Sequence, residues 1–424
     1  MHIKGSVFAF YFIGPKTILL TSIIMKYRTV TMLCKDTDIF DIGNPICVGI
    51  IGGGQLGKMI AQEAKRMSLK VLVLDPQQEC PASTVADQQI VADYKDEKAI
   101  ERLASRCDIL TYEIELANSI ILKQLESSKY EIHPSAETLS IIQNKYRQKS
   151  FFKKNNLAVP DFDIIGSEKE LKQWSVKYGF PLILKACEDS YDGRGNIIIR
   201  SESELAEHFC HLNANQYMVE EFVDFKKELS IMVARNKSGQ IESFPVAENI
   251  HRNNILDTTI VPARVSRLVQ QKVSRLAEKA VHVLGGSGIF GIEIFLTQND
   301  QVLINEVSPR PHNSGHYTIE ACSISQFEQH LRAILDLPLS KPELLSPVVM
   351  SNILGSSYWQ GPYRIKGLKK FFSIHGTTFH LYGKKISKPN RKIGHITVTA
   401  STLQDALLNA KKAKTVLKLE KVLV

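Results

Sequence analysis

The chain has little cysteine, and none of it forms a recognisable pairing pattern. Cys34, Cys47, Cys80, Cys107, Cys187, Cys210 and Cys322 are scattered, odd in number and never spaced as CxxC. That argues against a disulfide framework or a zinc site, and for a reducing, cytoplasmic compartment. Long apolar runs are also missing: Val7–Met25 is interrupted by Gly14-Pro15-Lys16, so no stretch is long enough to span a membrane. No small-residue cleavage site follows it. We read residues 1–44 as an extension ahead of a start at Met25 or Met32, with a weak signal anchor as the alternative. RNP, zinc-finger and helix-turn-helix patterns are absent, as are internal repeats and low-complexity tracts. The net charge of +9 therefore points to anionic small substrates, with neither nucleic acid nor membrane expected as a partner. The lysines at 410–421 read as a solvated helix face. A chain of 424 residues, 44% hydrophobic and 23% charged, is expected to hold two or three domains around a large core.

The most informative stretch is FGIEIFLTQNDQVLINEVSPRPHNSGH, residues 290–316. Two short alternating runs flank a polar turn at Thr297–Gln301, which predicts a β-hairpin. Period-two geometry then sets Glu293 and Glu306 side by side on one face. Asn305 adds an amide oxygen. Two carboxylates and a neutral oxygen, without Cys or His, suit a hard cation such as Mg²⁺ or Mn²⁺. Arg310, His312, Asn313 and His316 follow in a donor-rich loop. A metal site beside a cationic loop suggests phosphate chemistry.

From Ile46 the pattern alternates strand and helix, predicting a doubly wound βαβ domain over 45–140. Ser140–Asn155 reads as one basic amphipathic helix. Antiparallel strands are expected near 180–185, 197–200, 218–222, 228–234 and 241–246, and a helix over 270–284. We expect a central unit over 141–338, with a lid at about 160–235. A smaller α+β unit follows over 339–424, with strands near 347–354, 371–382 and 394–399. Gly52-Gly53-Gly54-Gln55-Leu56-Gly57 matches GxGxxG, and Asp75 ends the next strand. Glycines let the backbone approach an anion at a helix N-terminus. A dinucleotide, a phosphorylated metabolite or mere strand–helix packing can each explain this turn. Gln55 at its tip, and Glu113 and Glu115 at a strand end, would face the ligand crevice. Lys185 ends an apolar strand, and Tyr191-Asp192-Gly193-Arg194-Gly195 suits a mobile loop over phosphates with Arg194 as clamp. Glu220 to Val223 can act as a nucleotide hinge, with a carboxylate holding ribose hydroxyls. Lys384 and Arg391 can bind a substrate phosphate.

In this order the pieces resemble the ATP-grasp superfamily, and within it the N5-carboxyaminoimidazole ribonucleotide synthases. The resemblance covers about 46–400. It rests on GGGQLGKM at 52–59, TYEIE at 111–115, YDGRG at 191–195, VEEFVDFKKELS at 219–230, INEVSPRPHNSGHYTIEA at 304–321, SQFEQHLRAILDLPL at 325–339 and NRKIGH at 390–395. PRPHNSGHYT is its most specific run. The implied architecture is mixed α/β and α+β: an N-terminal doubly wound, Rossmann-like domain, a two-lobed ATP-grasp domain and a small C-terminal α+β domain. The implied ATP contacts are Lys145, Lys185, Ser190, Tyr191, Asp192, Gly193, Arg194, Gly195, Asn196, Glu220, Glu221, Phe222, Val223, Glu228 (ribose), His251, Asn305 and Glu306. The implied metal ligands are Glu293 and Glu306. Gln55, Glu113 or Glu115, Tyr191, Asp192, Arg194, Lys384 and Arg391 would hold aminoimidazole ribonucleotide, the last two at its 5′-phosphate. Arg194, Arg310, His312 and Asn313 would be the catalytic groups. The chain departs from the family at Cys187-Glu188-Asp189-Ser190, where a Thr-Gly-Gly-like run is usual. Two acids would then either point to solvent or weaken nucleotide binding.

The resemblance implies ATP- and bicarbonate-dependent carboxylation of aminoimidazole ribonucleotide through carboxyphosphate. It implies a homodimer and a separate mutase to move the carboxyl group onward. Three alternatives are open to the same residues: a formate-dependent glycinamide ribonucleotide transformylase, an NAD(P)-dependent reductase led by the glycine turn, and a non-catalytic ATP-binding relative.

Overall fold

A computed structural model describes residues 41–188, 195–209 and 216–422. Among these the strands form four sheets. The first is five-stranded and parallel, in the order Gln88–Val91, Lys70–Asp75, Cys47–Ile51, Ile109–Tyr112, Glu131–Ile132. Its central strands are buried throughout, as continuous apolar runs between two helical layers must be. Strand order reverses at Cys47–Ile51. The crevice therefore opens at the carboxyl ends of Cys47–Ile51 and Ile109–Tyr112, where the glycine turn and Glu113 stand.

A second sheet, antiparallel, runs Phe162–Ile165, Tyr217–Glu221, Leu182–Ala186, Asn196–Ile199. It packs Leu182, Leu184, Ile199 and Val219 against Leu171 and Leu205 of its helices. The largest sheet is nine-stranded. Its path runs Val302–Ser308, Gly288–Thr297, Phe225–Arg235, Ala247–Arg252, Ile255–Val261, Val348–Leu354, Lys392–Thr399, Thr377–Leu381, and Ile241–Ser243 pairs with Phe225–Arg235. Three strands of the C-terminal region, Val348–Leu354, Thr377–Leu381 and Lys392–Thr399, thus extend the central sheet. A three-stranded sheet, Ile386–Ser387, Gly361–Lys366 and Lys418–Lys421, lies apart. Helix Arg267–Leu284 buries Val273, Ala277, Ala280 and Val281 against the central sheet.

Three differences from the sequence reading have local causes. The helix expected over 140–155 is two helices, Ala136–Gln143 and Lys145–Lys154. Asn144 between them is extended, and its side chain caps the second helix by accepting from Arg147 N–H. The strand expected at 371–382 is shorter. Leu368–Phe372 is helical and buries Phe371, and the strand begins at Thr377. The hairpin Ala247–Arg252/Ile255–Val261 is absent from the sequence reading. Its turn residues Asn253 and Asn254 both have left-handed backbone (φ 50° and 61°), the conformation of a two-residue hairpin turn.

Candidate functional site

A cleft of about 1220 Å³ is bounded by the glycine turn, the strand end at Glu113–Ala117, the hairpin acids, the Arg310–Asn313 loop and the basic segment 384–392. All three segments of the chain thus contribute to one site.

The hairpin forms in the expected register, and Glu293 and Glu306 are direct cross-strand partners. The next pair is Ile294 with Ile304, so Asn305 is an extra residue in its strand. This β-bulge brings Asn305 and Glu306, sequence neighbours that a regular strand would send to opposite faces, onto the same side. Asn305 Nδ2 lies 3.4 Å from Glu293 Oε2, and its Oδ1 accepts from Lys185 Nζ at 3.2 Å. Glu306 accepts from Lys145 Nζ at 2.6 Å. Burial raises the Glu293 carboxyl, and the neighbouring charges of Glu306 and Glu228 reinforce it. Burial also opposes ionisation of Glu306, but Lys145, with help from Lys185 and Lys149, outweighs it and holds the group low. Two facing acids at different charge balance, with the Asn305 amide beside them, offer carboxylate oxygens as the donor set. That set fits Mg²⁺. Among the described residues no group of three or more His, Cys, Asp or Glu can hold a metal by itself.

Behind the hairpin lies a buried charge cluster. Glu220 accepts from Lys185 Nζ at 2.6 Å and faces Lys149 Nζ at 2.7 Å, with all three side chains nearly solvent-free. Burial pulls Lys149 down to about 8 despite that carboxylate. Glu221 accepts from Asp161 N–H. The carboxylates of the 219–223 segment are thus both engaged within the protein. Glu228 lies 2.6 Å from His251 Nδ1. Burial lowers His251, but the Glu228 bond and charge prevail and raise it. Phe222 is exposed beside buried Val223. Lys149 went unnoticed in the sequence, although it lies at i+4 from Lys145 on one helix face.

The glycine turn is not open to a dinucleotide. Glu113 folds back over it and accepts from Gly54 N–H (2.6 Å) and Gly57 N–H (3.0 Å), while Asp75 accepts from Gly53 N–H (2.8 Å). A Cβ at Gly52 or Gly54 would collide with Glu113, and one at Gly57 would lie 2.4 Å from the Gly52 carbonyl. The chain's own carboxylates fill the anion position, so the reductase reading loses its basis. Glu113 is buried, and burial raises its carboxyl against the pull of the two amides. Glu115 instead pairs with Arg310 at 2.8 Å. Gln55 Oε1 accepts from Lys384 Nζ at 2.7 Å, and Lys384 also donates to the Lys392 carbonyl. Arg391 donates to the Ile386 carbonyl and lines the cleft.

In the loop after the hairpin, His312 Nε2 lies 3.5 Å from Glu293, and its Nδ1 bonds Ser314 Oγ. Gly291 allows this contact, since a Cβ there would lie 2.4 Å from His312 Cβ. The Asn313 amide forms a reciprocal pair with Asn352 (3.0 and 2.6 Å). Its side chain is thus held by Asn352 where it lines the cleft. His316 is fully buried and bonded to Gln326, away from the cleft. Ser190, Tyr191, Asp192, Gly193, Arg194 and Asp189 lie outside the described residues. Gly195 and Asn196 follow them, and Asn196 pairs with Lys185. Glu188 is exposed and accepts from Asn144 Nδ2 at 2.9 Å. No helix among the described residues is long and apolar enough to cross a membrane.

Three family models match: a ribonucleotide synthetase preATP-grasp domain at 46–143, an ATP-grasp domain at 150–327 and a phosphoribosylaminoimidazole carboxylase C-terminal domain at 348–408. The chain is 42% identical over 353 residues to N5-carboxyaminoimidazole ribonucleotide synthase of Bacillus subtilis, covering 82% of this chain and 90% of that protein. It is 40% identical to phosphoribosylaminoimidazole carboxylase of Candida glabrata; 84% of this chain aligns, but it spans only 64% of that longer protein. The crystal structure of N5-carboxyaminoimidazole synthase from Aspergillus clavatus, in complex with ADP and 5-aminoimidazole ribonucleotide, superposes with a TM-score of 0.81 at 35% identity, over 88% of this chain and 98% of that one.

Proposed function

The chain belongs to the ATP-grasp family of N5-carboxyaminoimidazole ribonucleotide synthases, and from that premise we propose its reaction: ATP- and bicarbonate-dependent carboxylation of 5-aminoimidazole ribonucleotide in purine biosynthesis. The products are N5-carboxyaminoimidazole ribonucleotide, ADP and phosphate. The observation that carries the reading is the single cleft joining hairpin acids, phosphate-type lysines and a basic segment from the chain's far end. The ADP and aminoimidazole ribonucleotide bound by the Aspergillus protein support the same pair of ligands here.

In this reading ATP lies between the 162–221 sheet, acting as a lid, and the hairpin. Lys145 and Lys185 face its phosphates, Glu220 to Val223 follow the base, and Glu228 holds the ribose. Glu293 and Glu306, with Asn305 beside them, would hold Mg²⁺, which when bound neutralises phosphate charge. Arg310 and His312 orient bicarbonate. A bicarbonate oxygen attacks the γ-phosphorus and ADP leaves, giving carboxyphosphate. Its C–O bond to phosphorus-bound oxygen breaks, releasing CO₂ and phosphate. The exocyclic amine of the substrate captures CO₂ and loses a proton, forming the carbamate. Closing the cleft keeps water from the labile intermediate. Lys384 and Arg391 hold the 5′-phosphate, and Gln55 and Glu115 contact the rest of the ribonucleotide. Glu188 lines the cleft and is bonded there by Asn144. We further propose a cytoplasmic homodimer feeding a separate mutase; the buried free thiols of Cys47, Cys80, Cys107, Cys187 and Cys322 support the reducing compartment.

ADP production with ATP, Mg²⁺ and bicarbonate should depend on aminoimidazole ribonucleotide. Turnover supported by formate with glycinamide ribonucleotide would favour the transformylase instead. Tight ATP binding without turnover would leave a non-catalytic relative.

A further inference from the structure

Lys149 has no place in the reaction described above, yet it is among the most buried charged groups of the chain. Its side chain is 3% exposed and lies 2.7 Å from Glu220 Oε2, itself 1% exposed. The other oxygen, Oε1, accepts from Lys185 Nζ at 2.6 Å, and Lys185 continues to Asn305 Oδ1 at 3.2 Å. One carboxylate is therefore shared by two lysines, and only one of them reaches the hairpin. Helix Lys145–Lys154 supplies both Lys145, which holds Glu306, and Lys149, which holds Glu220.

The charge balance explains the arrangement. Glu220 alone beside Lys185 would make a closed neutral pair, and Lys185 would present little net charge to a phosphate. A second buried cation restores a net positive charge to the trio. It also fixes Glu220 from behind, so that Lys185 is directed toward Asn305. Burying three charges costs more than packing apolar side chains of similar size. Stability alone therefore gives no reason to build the trio, whereas holding one of its cations at a defined point does.

We infer that Lys149 is a positioning residue for nucleotide binding: through Glu220 it orients Lys185 and keeps it effectively cationic toward the phosphates of ATP. The inference rests on the proposed function only for its kinetic readout.

The test compares Lys149→Met, Lys149→Gln, Lys149→Arg and the double variant Lys149→Met/Glu220→Gln in the full chain. For Lys149→Met we expect KM for ATP to rise at least about tenfold, with KM for aminoimidazole ribonucleotide changed by less than about twofold. Removing the competing charge in the double variant should recover at least about threefold in KM for ATP, and Lys149→Arg should stay nearer wild type than Lys149→Met. If Lys149→Met does not fold, Lys149→Gln, similar in length and still polar, carries the same expectation. A lower melting temperature with both KM values unchanged overturns the inference, as does a double variant no better than the single one. A wild-type chain without turnover on aminoimidazole ribonucleotide would refute the proposed function alone. The inference would then be read from ATP dissociation constants measured by calorimetry: about tenfold weakening in Lys149→Met supports it, and an unchanged value overturns it.

Discussion

Replacing Glu113 by alanine isolates what the glycine turn is for. In the native fold the carboxylate accepts from two backbone N–H groups, of Gly54 and Gly57. Alanine leaves both donors without that acceptor. A buried donor deprived of its partner costs about 1–3 kcal/mol, so two cost roughly 2–6 kcal/mol. The turn borders the cleft and water can reach it, which places the expected loss in the lower half, about 2–4 kcal/mol. Glutamine should behave differently. Burial raises the Glu113 carboxyl above its ordinary range, so a neutral side chain that keeps one acceptor oxygen avoids part of the ionic cost. Glu113→Gln keeps one acceptor and leaves one N–H facing an amide donor, so it should lose about 1–3 kcal/mol, less than Glu113→Ala. The assay is urea unfolding together with hydrogen exchange of a peptide spanning Gly52–Met59. Exchange there should accelerate at least about tenfold in Glu113→Ala, in line with a loss of 2 kcal/mol or more. If Glu113→Ala keeps both its urea midpoint and its native exchange rate, the carboxylate does not hold the turn and the reasoning is wrong. Binding of NAD by the wild type would refute it equally.

Other perturbations have defined outcomes. Gly291→Ala forces a methyl group against His312; kcat should fall at least about tenfold while ATP affinity, measured by calorimetry, changes little. Lys384→Met and Arg391→Met should each raise KM for aminoimidazole ribonucleotide by about tenfold or more and leave KM for ATP nearly unchanged, consistent with loss of one charged contact. The Glu131 carboxyl is held at about 2, against an ordinary value of 4.5, by the His133 hydrogen bond first and then Lys237, with burial opposing. A depressed carboxyl stabilises the fold above its unfolded value and loses that contribution as pH falls. Thermal melts of wild type and Glu131→Gln should therefore converge between pH 4.5 and about 2, and curves that stay parallel across that window would remove Glu131 from the account.

Much of the site was legible in the sequence because its signals are local. Alternation on both sides of a polar turn gave the hairpin, and period two then gave the Glu293–Glu306 pairing. What stayed hidden depends on tertiary contacts or on single-residue departures from regularity. The bulge at Asn305 follows no composition rule, yet it decides that Asn305 and Glu306 share a face. The break at Asn144 hides inside a continuous helical pattern, because asparagine is tolerated in a helix as well as at its cap. The glycine turn matched a dinucleotide fingerprint by spacing alone. Only the fold shows that Glu113, distant in sequence, already occupies the anion position. Lys149 reads as one more lysine on a basic helix until the burial of Glu220 is seen.

The central claim is that γ-phosphate is transferred to bicarbonate in this cleft, and isotope transfer tests it most directly. With ATP, Mg²⁺, aminoimidazole ribonucleotide and [¹⁸O]bicarbonate, each phosphate released should carry one oxygen from bicarbonate, and Glu293→Gln should suppress its formation. Phosphate that takes its new oxygen from water, or forms at the same rate without aminoimidazole ribonucleotide, would contradict the account.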